Sequence, residues 1–126
     1  MNIGLDMMGG DFAPLEAVKG AAEFINAATA DVHLTLIGDK EKINEHLASY
    51  PIPADKYTIV HAAEVIEMNE HPTKALKEKK QSSIAIGFHL LATGKTDAFI
   101  SAGNTGAMMV GALFSIKAIE GVMRPT

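Results

Sequence analysis

Apolar and polar positions recur along this chain in two rhythms, short continuous apolar runs and longer stretches of helical period, and the two take turns from one end to the other. Residues 2–6 (NIGLD) are a short apolar run and predict a strand. Residues 14–28 follow with apolar positions at helical spacing, and Pro14 suits the first turn of that helix. Residues 32–37 (VHLTLI) predict a second strand closed by Gly38 and Asp39, and 40–48 a short amphipathic helix. Residues 57–60 predict a third strand, and 61–69 show no clear period. A lysine-rich helix over 73–80, a Ser82-capped helix to about Ala92, a strand beginning at Ala98 and a final helix over 105–119 complete the series. Strands alternating with helices on short connections specify a mainly parallel sheet with helices on both faces, an α/β fold. The loops that follow the strands then gather on one edge, where open α/β sheets bind ligands.

Two of those loops carry the chemistry. In AFISAGNTG, residues 98–106, an apolar run breaks into Ser101, Gly103, Asn104, Thr105 and Gly106 directly before an apolar helix. Asn104 is placed to be the N-cap, which would leave the N–H groups of Gly106 and Ala107 pointing outward with the helix dipole behind them. Such a terminus attracts anions. The loop after the first strand, with Gly9, Gly10 and Asp11, has the same strand-to-helix character. Its glycines would let a ligand approach the main chain without a Cβ in the way. Both loops are also what an ordinary strand-to-helix turn uses, and neither matches a dinucleotide fingerprint or a P-loop.

A third candidate lies at the junction of two helices. Lys74, Lys77, Lys79 and Lys80 form the densest positive patch, and Lys80 leads directly into Gln81, Ser82 and Ser83. A lysine run is usually a solvated helix face, but beside a serine-capped helix start it can form a second anion pocket. Glu64, Glu67 and Glu70 have the spacing of an acid-base set and equally that of a solvated loop. The histidines 33, 46, 61, 71 and 89 show no metal-ligand spacing, so no metal site and no cofactor are expected.

Composition narrows the class. The chain has 126 residues, 48% of them hydrophobic and 21% charged, which fits a single folded unit over 1–126 and argues against disorder. A net charge of -4 opposes a nucleic-acid surface. With no cysteine there is no disulfide and no thiol nucleophile. The first residues have neither a basic leader nor a long apolar core, so a cytoplasmic location is expected. Residues 121–126 read as the lead into another strand, so the unit is expected to be a portion of a larger domain, with apolar sheet edges that need a partner.

Taken together, MGGDFAP at 8–14, HAAEVIEMNEHPTKALKEKKQSS at 61–83 and SAGNTGA at 101–107 resemble the amino-terminal part of the PlsX-type phosphate acyltransferases. The resemblance runs in order from the first strand to Arg124 and Pro125. It implies a Rossmann-like three-layer α/β/α fold and a bacterial enzyme of phospholipid synthesis. That enzyme moves a fatty acyl group from acyl carrier protein to inorganic phosphate, forming an acyl phosphate. It also implies a homodimer, cytoplasmic with peripheral membrane association in some members. Members are roughly two to three times as long as this chain, so the fragment alone is expected to be inactive. On this reading Asn104 is catalytic. Gly9, Gly10, Asp11, Ser101, Gly103, Thr105, Gly106, Lys80, Ser82 and Ser83 contact phosphate or substrate, and Lys74 and Lys77 meet the carrier protein. Two alternatives stay open, a short-chain phosphate acyltransferase using coenzyme A thioesters and a non-catalytic anion-binding module.

Overall fold

In the computed structural model, which describes residues 1–122, four parallel strands form one sheet. They are β1 (Asn2–Asp6), β2 (His33–Gly38), β3 (Tyr57–His61) and β4 (Ala98–Ile100), in the order β3-β2-β1-β4. Five helices surround them: α1 (Leu15–Ala27), α2 (Lys40–Ser49), α3 (Pro72–Glu78), α4 (Ser83–Ala92) and α5 (Thr105–Ser115). Each strand and helix expected between residues 2 and 119 is present, with its limits moved by a few residues.

The handedness of parallel crossovers explains the layers. From β1 to β3 the chain steps one way across the sheet, and from β3 to β4 it steps back past β2 and β1. Right-handed connections in opposite directions put their helices on opposite faces. Accordingly, Val18, Ala21 and Ala22 of α1 and Ile43 and Leu47 of α2 bury one face of the sheet with Leu34 and Leu36. Ile84 and Phe88 of α4 pack on the other face with Ala75 and Ala107.

Two glycines set how closely that second layer sits. A Cβ at Gly87 of α4 would lie 2.2 Å from the Phe99 ring, and one at Gly111 of α5 would lie 2.4 Å from the ring of Phe88. The two phenylalanines then meet edge to face, centroids 5.2 Å apart.

The last helix is shorter than the 105–119 expected. It ends at Ser115, where the N–H groups of Ile116 and Lys117 both donate to the Ala112 carbonyl and Lys117 turns to φ 70°. A left-handed residue after the last turn closes a helix by satisfying its free carbonyls. Most of the stretch read as the lead into another strand, 121–126, lies outside the described residues, which end at 122.

Candidate anion site at the β1 and β4 switch point

Strand order reverses between β1 and β4, because β1 leads away to β2 on one side while β4 joins it on the other. The crevice beyond the carboxyl ends of such a pair is the ligand-binding position of open α/β sheets. Both glycine-bearing loops read from the sequence emerge here, one after each strand.

Asp6, the last residue of β1, knits them together. Its carboxylate is buried and accepts from the Ser101 hydroxyl at 2.6 Å and from the Met8 N–H at 2.9 Å. The Ser101 oxygen in turn accepts from the Gly103 N–H at 3.0 Å. Glycine at position 9 has a clear reason, since a Cβ there would stand 2.7 Å from the Gly103 nitrogen. The two loops are therefore in backbone contact, and the β1 loop forms one wall of the crevice. Asp6 escapes sequence reasoning because it reads as the end of a strand. Its only local signal is a carboxylate closing an apolar run before two glycines.

Asn104 is the N-cap of α5, as expected, its Oδ1 accepting from the Ala107 N–H at 3.0 Å. That bond turns the Ala107 N–H inward, so of the two groups expected to face outward only Gly106 heads the helix without the cap. The other half of the side chain was not legible in the sequence. Nδ2 donates to the carbonyls of Glu67 and Glu70, at 2.9 and 3.2 Å. Asn104 thus ties the irregular 64–71 segment to the start of α5. Gly106 is required by packing as well, since a Cβ there would meet Pro72 Cγ at 2.4 Å.

A second set of bonds holds the same segment from behind. Glu70 accepts from the Lys79 ammonium at 2.8 Å and from the Glu67 N–H at 2.7 Å, and Lys79 also donates to the Val65 carbonyl. The Lys79 contact, then the backbone N–H, hold the Glu70 carboxyl below the usual carboxylate range, and Glu70 holds the Lys79 ammonium above the usual lysine range. The Glu64 carboxylate accepts from the Gln81 N–H, and its backbone forms a parallel bridge with Ser82. Glu64 and Glu70 are thereby loop ties.

The serine junction lies close by, with Ile84 of α4 near the position a Cβ of Gly103 would take. Ser82 caps α4, accepting from the Ala85 N–H at 3.2 Å, and Ser82 and Ser83 are both buried. Lys80, Asp11 and Thr105 are exposed, as are Lys74 and Lys77 on α3. The termini of α4 and α5 and the β1 loop thus meet at one edge. Among the described residues no helix is long and apolar enough to cross a membrane.

A buried carboxylate thus locks two glycine loops beside two helix starts at the switch point of a parallel α/β sheet, the position at which open α/β folds bind ligands. Residues 1–126 match the fatty acid synthesis protein family, and the chain belongs to it. It is 49% identical over 125 residues to a phosphate acyltransferase of Dictyoglomus turgidum, 45% to one of Halothermothrix orenii and 42% to one of Clostridioides difficile. Each alignment takes in 99% of this chain, which spans 37% of the length of the first two relatives and 36% of the third.

Proposed function

We propose that this chain carries the phosphate-binding part of an acyltransferase that moves a fatty acyl group from acyl carrier protein to inorganic phosphate in phospholipid synthesis. The observation that carries the reading is the switch point, where Asp6 and Ser101 hold two glycine-bearing loops in register beside the start of α5. The names of the relatives supply the reaction class. In the transfer, a phosphate oxygen attacks the thioester carbonyl, the carbon–sulfur bond breaks and the carrier thiol departs. That thiol has an ordinary pKa of about 8.5 and needs little acid assistance. The site's task is to hold a multiply charged anion and to stabilise the developing oxyanion.

On this reading Gly103, Thr105 and Gly106 present the helix start to phosphate. Gly9, Gly10 and Asp11 form the floor, and Ser101 sets the spacing between the loops. Asn104, whose amide is engaged on both sides, acts by fixing the geometry of the α5 start. Lys80, with the Ser82 and Ser83 turn, adds positive potential at the second terminus. Lys74 and Lys77 offer an exposed basic face to an acidic carrier protein, where charge speeds encounter more than it deepens affinity. The family resemblance also supports a cytoplasmic homodimer, with the peripheral membrane association found in some members.

The test places this chain in the Dictyoglomus turgidum relative in exchange for the segment it matches. Asn104→Ala should cost about 0.5–2 kcal/mol of stability through the lost cap. It should also lower turnover by up to about 100-fold as the oxyanion geometry loosens. Melting temperature beside kinetics with phosphate varied separates the two, and unchanged phosphate dependence in a folded variant overturns the assignment. Comparing carrier-protein and coenzyme A donors in the same protein decides the donor.

A further inference from the structure

The protons at the switch point can be placed one by one. An ionised carboxylate only accepts, so the 2.6 Å bond between Ser101 and Asp6 is made with the serine's proton. The Ser101 oxygen takes the Gly103 N–H on a lone pair, which agrees with that direction. Ser101 therefore has no proton left for a ligand. Asn104 is spent in the same way, its amide protons on the Glu67 and Glu70 carbonyls and its Oδ1 on the Ala107 N–H.

Asp6 is the counterpart. A carboxylate has about four acceptor sites, and the bonds from Ser101 and Met8 use two of them. The residue is only 7% exposed, so water has little access to the rest. Asp6 and Ser101 both line the cavity of about 500 Å³ that opens at the carboxyl ends of β1 and β4, together with Gly9, Gly10 and Asp11. Asp6 Oδ2 also lies 3.3 Å from the point where a Cβ of Gly103 would stand, on the loop that leads into α5. A ligand held by N–H groups at the start of α5 thus meets, on the adjoining wall, a pair of side chains that can only accept.

That wall separates anions by whether they carry a proton. A bare oxygen set against a carboxylate with little water around it is repelled and gains no hydrogen bond. An anion that keeps a proton turns it to Asp6 in a charge-assisted hydrogen bond, and its bare oxygens face the α5 terminus. We infer that Asp6 is a specificity-determining residue, by which the site takes hydrogen phosphate and rejects sulfate. The two anions share a tetrahedral shape and, near neutral pH, the same charge, so the proton is the difference the site can read. This selectivity rests on the phosphate-binding reading above and adds to it the form of the anion. In the transfer, one of the bare oxygens attacks the thioester carbon, and the proton on the oxygen at Asp6 stays in place while the carbon–sulfur bond breaks.

The test uses the chimera with the Dictyoglomus turgidum relative and compares sulfate with methylphosphonate as inhibitors against phosphate. Methylphosphonate carries a proton around neutral pH, and sulfate does not. Methylphosphonate should bind about 10–100-fold more tightly, the span expected for one charge-assisted hydrogen bond. Asp6→Asn, whose amide can donate, should bring the two inhibition constants together by tightening sulfate and weakening methylphosphonate. Ser101→Ala, which loosens the loops and leaves the carboxylate, should weaken both alike. Should Asp6→Asn fail to fold, pH supplies the comparison: from mildly acid to mildly alkaline solution methylphosphonate loses its proton, and its inhibition should fall while that of sulfate holds. Equal inhibition by the two anions in the unsubstituted chimera overturns the inference and leaves the phosphate site standing. So does an Asp6→Asn variant that weakens both by the same factor, which makes Asp6 a structural tie only. If neither anion inhibits and the KM for phosphate is unchanged in both variants, the phosphate-binding reading itself fails.

Discussion

Asp6 is the residue on which the geometry of the switch point turns. It is buried, and both carboxylate oxygens have donors, Ser101 on one and Met8 on the other. Replacing it by alanine leaves two half-buried donors, the Ser101 hydroxyl and the Met8 N–H, without their acceptor, at up to about 1 kcal/mol each where water does not replace it. Asp6→Ala should therefore lower the denaturation midpoint and, in the active chimera, raise the KM for phosphate more than it lowers kcat, because the loops lose their spacing and not a reacting group. A variant with normal stability would show that the Ser101 bond is a passive contact. Glycine 9 works by the same logic in steric form: its hydrogen sits where a methyl group would meet the backbone of the neighbouring loop.

Among the elements, the 64–71 segment shows how an aperiodic stretch becomes fixed. It has no regular backbone ladder beyond one bridge to Ser82, and side chains supply the remainder: Asn104 from α5, Lys79 from the end of α3 and Glu70 from within. The pH dependence follows from the two shifted groups. The Glu70 carboxyl is held low, so its contribution is present above the ordinary carboxylate range and lost as pH falls through its lowered pKa. The Lys79 ammonium is held high, so its contribution is complete below the ordinary lysine range and lost as pH rises through its raised pKa. Between those limits the tie is intact. Lys79→Met should make the exchange of amides in 64–71 faster at neutral pH and flatten its acid dependence. Equal protection in both proteins would show that Asn104 alone holds the segment.

At the scale of the whole molecule, one face of the sheet is only partly covered, and α5 presents Met109, Leu113 and Phe114 to solvent. The chain spans 37% of the Dictyoglomus turgidum relative's length, and the prediction is that the 126-residue protein alone forms no acyl phosphate from acyl carrier protein and phosphate, while the chimera does. Turnover by the short chain would show that residues 1–126 contain every group the transfer needs.

The sequence by itself determined what depends on near neighbours. The order of strands and helices follows from hydrophobic period, and the caps at Ser82 and Asn104 follow from residue type just ahead of a helical run. The two glycine loops were legible for the same reason, because a chain that must turn between a strand and a helix uses a small alphabet. Only the tertiary structure decided which elements meet. Asp6 and Ser101 are 95 residues apart, and their bond exists because β4 docks beside β1 and not beside β3. The second role of Asn104 and the packing of Pro72 on Gly106 arise in the same way, from segments about 35 residues distant that the return crossover brings beside α5. Local periodicity records which face of an element is buried. It does not record what covers that face, which is set by the handedness of the crossovers and the order in which strands join the sheet.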